Sequence, residues 1–279
     1  MKQRILTSLL LVPLLFLSLI SELFLYIFMF SICLQIVRET NLYIYEKNKK
    51  IRTFFYSVII SGYYFSIIII PDSFIAFLLP LILMALFISL FMNYLSIKNQ
   101  NIKAPQYPQK QVNSLNKIIL RETSTIFFVF GISTVFFLYQ SFSDIKWLLI
   151  PLLTVFSVDT FSYIFGSRYG ERKIEFISKI SPNKTLVGYV SGVFFGILMF
   201  IILNFLLGSL VSNVFALVGV SIFFPIVAII GDLHASSIKR NFGIKNYGNI
   251  LPGHGGLLDR LDSVTLAIVF MTLVKAYLV

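Results

Sequence analysis

A polar segment near the C-terminal end carries the side chains best suited to chemistry in an otherwise apolar chain. Asp232, Ser236 and Lys239 recur at spacings of three and four, which places them on one helix face if the preceding helix continues that far. Asp259 and Asp262 are again three residues apart. Carboxylates at two helix ends suit Mg²⁺ bound to a polyphosphate, because Mg²⁺ takes a few carboxylate oxygens and otherwise water or phosphate oxygens.

The loop between these carboxylates is rich in glycine and in basic residues. Glycine lets backbone N–H groups approach a bound anion closely, and Arg and Lys neutralise phosphate charge. The residues concerned are Gly243, Gly248, Gly253, Gly255 and Gly256, with Lys239, Arg240, Lys245 and Arg260. Any one of them alone could be an ordinary solvated loop residue. The set favours a binding site, because unpaired carboxylates at the edge of a membrane span are costly.

An upstream segment, residues 158–189, shows the same mixture of cations, acids and glycines. Asp159 lies within a predicted membrane span, where a carboxylate is usually paired or functional. The run SPNKT at residues 181–185 follows it on the same predicted side of the membrane.

Both segments resemble a known family. Residues 236–240 (SSIKR), then Lys245, then LPGHGGLLDRLDS at 251–263 are similar to the signature of the phosphatidate cytidylyltransferases, the CDP-diacylglycerol synthases. Asp159-Thr160 and the run at 181–185 resemble an upstream stretch of the same family, and the likeness extends over the whole chain. The chain departs from the family pattern at three positions where members carry acidic residues, namely Val187, Ala235 and Asn246.

The resemblance implies transfer of CMP from CTP to phosphatidate, with release of pyrophosphate. It implies Mg²⁺ as cofactor, with a second cation left open, and CTP, phosphatidate and membrane lipids as partners, with a homodimer as a further expectation. The implied metal ligands are Asp232, Asp259 and Asp262. The implied catalytic residues are Asp232, Asp259, Lys239 and Arg260. The implied substrate-binding residues are Asp159, Ser181, Lys184, Thr185, Ser236, Arg240, Lys245, Gly253, His254, Gly255 and Gly256.

The composition indicates an integral membrane protein. Of the 279 residues, 57% are hydrophobic and 13% are charged, whereas soluble domains carry about a quarter charged residues. The apolar runs are continuous rather than alternating, which favours an all-α polytopic protein over a barrel. Nine transmembrane spans are predicted, at residues 5–20, 22–37, 53–70, 73–95, 120–140, 145–166, 187–207, 211–231 and 262–278.

The distribution of basic residues orients these spans. With a cytoplasmic N-terminus and an outside C-terminus, all 23 basic residues except Lys146 and Lys275 fall on the cytoplasmic side, as the positive-inside rule requires. We therefore expect a multi-pass protein of the inner (cytoplasmic) membrane, with cytoplasmic loops at 166–186 and 232–261. The domain prediction is an N-terminal region, 1–117, with four spans and a polar linker, and a C-terminal catalytic region, 118–279.

Other function classes remain as alternatives. A degenerate paralogue, or an enzyme acting on another lipid or polyprenyl phosphate, would share the same motifs. A transporter using Asp159 and Asp232 is disfavoured, because the polar groups lie almost entirely on the predicted cytoplasmic side. Nucleic acid is not an expected partner, since no basic stripe with interleaved aromatic residues occurs.

Overall fold

The structure is a computed structural model that describes residues 21–41, 46–69, 81–91, 115–138, 145–251 and 255–278. These residues form helices and connecting turns, with one isolated bridge between Leu251 and Gly255, so the all-α prediction is confirmed for them. The helices are α1 Glu22–Thr40, α2 Glu46–Ile69, α3 Leu81–Phe91, α4 Leu115–Ser133, α5 Val135–Leu138, α6 Lys146–Tyr169, α7 Glu175–Ile180, α8 Leu186–Leu206, α9 Val214–Asn241 and α10 Leu258–Tyr277.

Several helices have the length and composition of membrane spans. Within the described ranges, four qualify: Leu23–Thr40, Lys146–Tyr169, Leu186–Leu206 and Val214–Asn241. They support a multi-pass membrane protein. The count of nine spans and the orientation stay predictions, and the first predicted span, 5–20, lies outside the described residues.

Helix α1 begins with a serine cap. Ser21 has an extended backbone, and its hydroxyl accepts a hydrogen bond from the Phe24 N–H at 3.3 Å. A serine in this position satisfies an N–H group that the helix itself leaves without a partner. Helix α1 therefore begins at Glu22, the residue at which the second span is predicted to begin, and the number of spans stays a prediction.

The described residues form two compact units. The first contains the described residues up to Ser133 together with Ile238–Leu261, and the second contains Thr134–Ser237 together with the residues from Asp262 onward. The sequence-based division into regions 1–117 and 118–279 is a different kind of division from these compact units, and it stays a prediction.

In the first unit, α1 packs against α2 and α4, and a polar network holds the three helices together. Arg52 of α2 donates from Nε to both carboxylate oxygens of Glu122, each at 3.1 Å. Its other nitrogens donate to Asn41 Oδ1 at 2.6 Å and to Thr125 Oγ1 at 2.7 Å. Asn41 is the residue that follows the last residue of α1, so the Arg52 network ties the end of α1 to α2 and α4.

In the second unit, α6 and α8 pack closely through small residues. Gly188, Gly192 and Gly196 recur every four residues on α8 and are buried against α6. A Cβ atom at Gly188 would lie 2.8 Å from the Ser162 carbonyl oxygen, so a larger side chain would push the helices apart. Small residues allow such close backbone approach between membrane helices. This packing holds the start of α8 beside α6.

Candidate functional site

Two helices continue beyond the limits that hydropathy predicts, and both carry candidate site residues. Helix α9 runs past residue 231, where the eighth span is predicted to end, and continues to Asn241, so the condition that places Asp232, Ser236 and Lys239 on one helix face is met. Helix α10 begins at Leu258 rather than at residue 262, which places Asp259 in its first turn. A carboxylate is favourable there, because the N-terminal end of a helix carries partial positive charge.

The first cluster of site residues, which we call the glycine-loop cluster, consists of Glu39, Lys239, Tyr247, Gly256 and Asp259. Lys239 Nζ lies 2.9 Å from Asp259 Oδ1, and both side chains are nearly buried. Asp259 Oδ2 accepts hydrogen bonds from the N–H groups of Tyr247 at 2.8 Å and of Gly256 at 2.9 Å. One carboxylate thus holds a buried cation and two points of the loop backbone.

Gly255 shows why the loop needs glycine. Its backbone φ is +91°, a value that residues with a side chain rarely adopt but that glycine adopts readily. A Cβ atom there would also lie 2.9 Å from Asp259 Oδ2. A larger residue at this position would strain the backbone and crowd the carboxylate that organises the loop.

Glu39, at the end of α1, is a site residue that the sequence interpretation missed. Its side chain is buried, and its two carboxylate oxygens accept hydrogen bonds from the N–H groups of Leu257 and Leu258, each at 2.8 Å. Gln35 Nε2 donates to the same carboxylate at 3.0 Å. A Cβ atom at Gly256 would come within 2.5 Å of Glu39 Oε2. Glu39 therefore satisfies the first N–H groups of α10 and lies directly against the glycine loop.

The sequence did contain one signal for Glu39. Glu39 lies two residues beyond the end of the predicted span 22–37, and a carboxylate at the edge of a membrane span is costly unless it has a partner. The predicted spans end at residue 37 and resume at residue 53, which leaves Glu39 in a connecting segment with several basic residues.

The second cluster, which we call the Lys184 cluster, lies in the second unit and consists of Lys184, Thr185 and Asp232. Lys184 and Asp232 form an ion pair, and both side chains remain partly exposed. Thr185 caps α8, because its hydroxyl accepts from the Gly188 N–H at 3.2 Å and donates to the Gly166 carbonyl at 3.4 Å. The structure thus brings together two predicted site residues that lie far apart in sequence.

Asp262 lies near this cluster on α10. It is buried, and its Oδ1 accepts a hydrogen bond from the Ser263 N–H at 2.9 Å. A Cβ atom at Gly231 would lie 3.0 Å from the Asp262 carbonyl oxygen. The helices that carry Asp232 and Asp262 therefore approach each other closely at this point.

The other predicted site residues occupy varied environments. Ser236 is buried on α9, and Arg240 Nη1 donates to the Ile244 carbonyl at 2.8 Å. Ser181 ends α7. Asp159, Lys245 and Arg260 are exposed. Gly253 and His254 lie outside the described residues.

The donor set is compatible with Mg²⁺ but does not form a dedicated cage. Among the described residues, no group of three or more His, Cys, Asp or Glu side chains is close enough to hold a metal ion. Mg²⁺ usually binds through one or two carboxylates, several waters and substrate phosphates. Asp232 and Asp259 each pair with a lysine ammonium, so a metal ion would compete with that lysine for the carboxylate. Each carboxylate nevertheless supplies the type of oxygen donor that Mg²⁺ takes together with water and phosphate oxygens.

Comparison with protein families gives a match over nearly the whole chain. The model of the family described as "Cytidylyltransferase family" matches residues 2–278. The match includes both segments that contain the candidate site residues.

Comparison with curated proteins gives relatives that are similar over about half of the chain. Proteins named "Phosphatidate cytidylyltransferase" from Staphylococcus aureus (strain COL), Staphylococcus epidermidis (strain ATCC 12228 / FDA PCI 1200) and Staphylococcus haemolyticus (strain JCSC1435) are each 38% identical to this chain over 133 residues. The aligned region covers 48% of this chain and 50% of each relative. The chain therefore spans about half the length of the curated relatives it matches.

Proposed function

The chain belongs to the cytidylyltransferase family, and we propose that it transfers CMP from CTP to phosphatidate. In this reaction a phosphate oxygen of phosphatidate attacks the α-phosphorus of CTP. The bond from that phosphorus to the bridging oxygen of the β-phosphate breaks, pyrophosphate leaves, and CDP-diacylglycerol remains in the membrane. The name shared by the matched relatives supports these substrates, and the family match favours an enzyme over a transporter.

The observation that carries this proposal is the buried pair of Lys239 and Asp259 at the glycine loop. The reaction brings together two anionic substrates, so the site must present positive charge and N–H groups that are already in place. Asp259 holds the Lys239 ammonium and the backbone of Tyr247 and Gly256 together. We assign this cluster to binding the phosphates of CTP, with Arg240, Lys245 and Arg260 adding positive charge.

The Lys184 cluster is assigned to the reacting phosphates. We propose that Mg²⁺, when bound, would be held by Asp232 or by Asp259, with Asp262 as a further proposed carboxylate, and would neutralise phosphate charge. The Lys184 ammonium, which pairs with Asp232, is assigned to a phosphate oxygen of the substrates. Thr185 holds the start of α8 in place beside it. Phosphatidate is already an anionic nucleophile, so no strong general base is required of the protein.

The proposed location is the inner (cytoplasmic) membrane, with nine spans, a cytoplasmic N-terminus and an outside C-terminus. The distribution of basic residues supports this orientation. Cysteines placed at Asn246 and at Tyr277, both exposed, in a Cys33→Ser background are expected to react with an impermeant thiol reagent from opposite sides of the membrane. Labelling of both positions from one side would rule out this topology.

A panel of lipid phosphates tests the choice of substrate. The purified full chain should form a CDP-lipid from CTP and Mg²⁺ when phosphatidate is supplied, with a kcat/KM at least tenfold above that for a polyprenyl phosphate. A preference for the polyprenyl phosphate would contradict phosphatidate as the substrate and would indicate transfer of CMP to another lipid phosphate. Phosphatidylcholine, which has no phosphate monoester, is the negative control.

A further inference from the structure

An open cleft of about 460 Å³ lies in the first unit, where the end of α1 meets the first turns of α2. Its polar lining consists of Arg38, Asn41, Lys49, Lys50, Thr53 and Ser57. None of these residues belongs to the glycine-loop cluster or to the Lys184 cluster. The cleft is therefore a separate feature of the unit, and the proposed reaction gives it no role.

The cleft concentrates positive charge. Arg38, Lys49 and Lys50 line it together, and among the described side chains no carboxylate forms an ion pair with any of them. Arg52, one turn further along α2, differs in that it pairs with Glu122 at 3.1 Å. The three positive charges in the cleft repel one another. Binding of an anion there would offset this repulsion and would supply an acceptor for their N–H groups.

Neutral hydrogen bonds hold the two sides of the cleft together. Asn41 Nδ2 donates to Thr53 Oγ1 at 2.9 Å, and the Thr53 hydroxyl donates to the Lys49 carbonyl at 2.9 Å. Asn41 is itself fixed by the 2.6 Å hydrogen bond from Arg52. The cations of α1 and α2 are thus presented by backbone segments that are already tied to each other.

An exposed apolar stripe leads away from the cleft along α2. Ile51, Phe54, Phe55 and Val58 are all at least half exposed, and their spacings of three and four place them on one helix face. Phe54 also lines the cleft. A ligand that filled both features would have an anionic head and a long apolar body. A free phosphate would use only the cations and would leave the stripe uncovered.

We propose that this cleft binds the phosphate headgroup of an anionic glycerophospholipid, whose acyl chains lie along the α2 stripe. The site takes a phosphodiester or phosphomonoester headgroup, and it is distinct from the site proposed for the reacting lipid. Bound there, the lipid ties the end of α1, which carries Glu39, to the surrounding bilayer.

The test uses dioleoylphosphatidylglycerol, because this lipid is a phosphodiester and therefore not a phosphate-monoester substrate. The full chain in detergent is titrated with this lipid, and bound lipid is counted by native mass spectrometry. The double variant Lys49→Gln/Lys50→Gln should bind about 25-fold more weakly, given the usual contribution of each basic residue at an anionic membrane surface. The matched control is Arg172→Gln/Lys173→Gln, which removes two exposed cations of the second unit and should bind as the wild type does.

Three further arms decide between occupants. Dioleoylphosphatidylcholine, which is neutral overall, should bind wild type and variant equally weakly. Inorganic phosphate at millimolar concentration should fail to displace phosphatidylglycerol, and Phe54→Ala should weaken binding of this lipid without affecting binding of glycerol phosphate. The proposal is overturned if both double variants lose affinity equally, since the attraction would then be diffuse. The proposal is also overturned if inorganic phosphate displaces phosphatidylglycerol, since the cleft would then bind free phosphate rather than a lipid headgroup.

Discussion

Replacing Asp259 by Asn is expected to lower kcat for CDP-diacylglycerol formation by about two to three orders of magnitude. The substitution keeps the shape of the side chain but removes the charge that holds Lys239 Nζ at 2.9 Å. It also removes a proposed ligand of the metal, whose stabilisation of developing phosphate charge is typically worth several kcal/mol, and each 1.36 kcal/mol or so is a factor of ten in rate. Steady-state kinetics with CTP and phosphatidate would measure the loss.

A second variant separates catalysis from folding. Asp259→Asn leaves Lys239 buried without its partner, which commonly costs about 3–5 kcal/mol of stability. The double variant Lys239→Met/Asp259→Asn removes that buried charge, so it should regain most of the thermal stability while remaining inactive. If the double variant regained activity as well as stability, the Lys239–Asp259 pair would have only a structural role. Glu175→Gln, at an exposed position on α7, is the control and should behave as the wild type does.

Glu39→Gln is expected to lower kcat/KM for CTP by about ten- to a hundredfold. A glutamine has one acceptor oxygen, so it cannot serve both the Leu257 and the Leu258 N–H groups as the carboxylate does. Hydrogen bonds to charged groups contribute about 1.5–3 kcal/mol, and their loss would loosen the glycine loop proposed to bind CTP. The effect should appear in KM for CTP, with KM for phosphatidate nearly unchanged.

The matched control for Glu39 is Gln35→Ala. This variant removes the side-chain amide that donates to Glu39 at 3.0 Å but leaves the carboxylate and its two backbone partners intact. We expect less than a threefold change in kcat/KM. If Glu39→Gln raised both KM values equally, the residue would support the unit as a whole rather than the loop.

Hydropathy predicted the apolar parts of the helices well and their polar ends poorly. The predicted span 187–207 corresponds to Leu186–Leu206, because apolar composition and helix coincide there. Helix α9 continues past residue 231 into a polar segment, where Lys239 and Arg240 occupy its last turn and favour the helix C-terminus electrostatically. The helix α2 similarly begins at Glu46, before the predicted span at 53–70.

Site residues that are close in sequence could likewise be predicted together, whereas those joined by tertiary packing could not. Lys239 and Asp259 could be predicted as a set because their side chains lie in one short polar segment, and the structure pairs them. Glu39 could not be linked to this set, since it lies 218 positions from Leu257. Its partners are backbone N–H groups, which every residue except proline carries, so the sequence gives no pattern to match. The meeting of Lys184 with Asp232 likewise depends on tertiary packing.

Transfer of CMP to phosphatidate is tested most directly by following the phosphorus atoms of CTP. The purified full chain, in micelles containing phosphatidate and Mg²⁺, is supplied with CTP labelled either at the α-phosphate or at the γ-phosphate. We expect the α-label to move to the lipid fraction and the γ-label to appear in pyrophosphate, in equal amounts. Both transfers should be absent without phosphatidate, and with the Asp259→Asn protein both should be slower by about two to three orders of magnitude. Release of the γ-label as inorganic phosphate, or an α-label that never enters lipid in a folded, membrane-inserted wild-type protein, would contradict the proposed transfer of CMP.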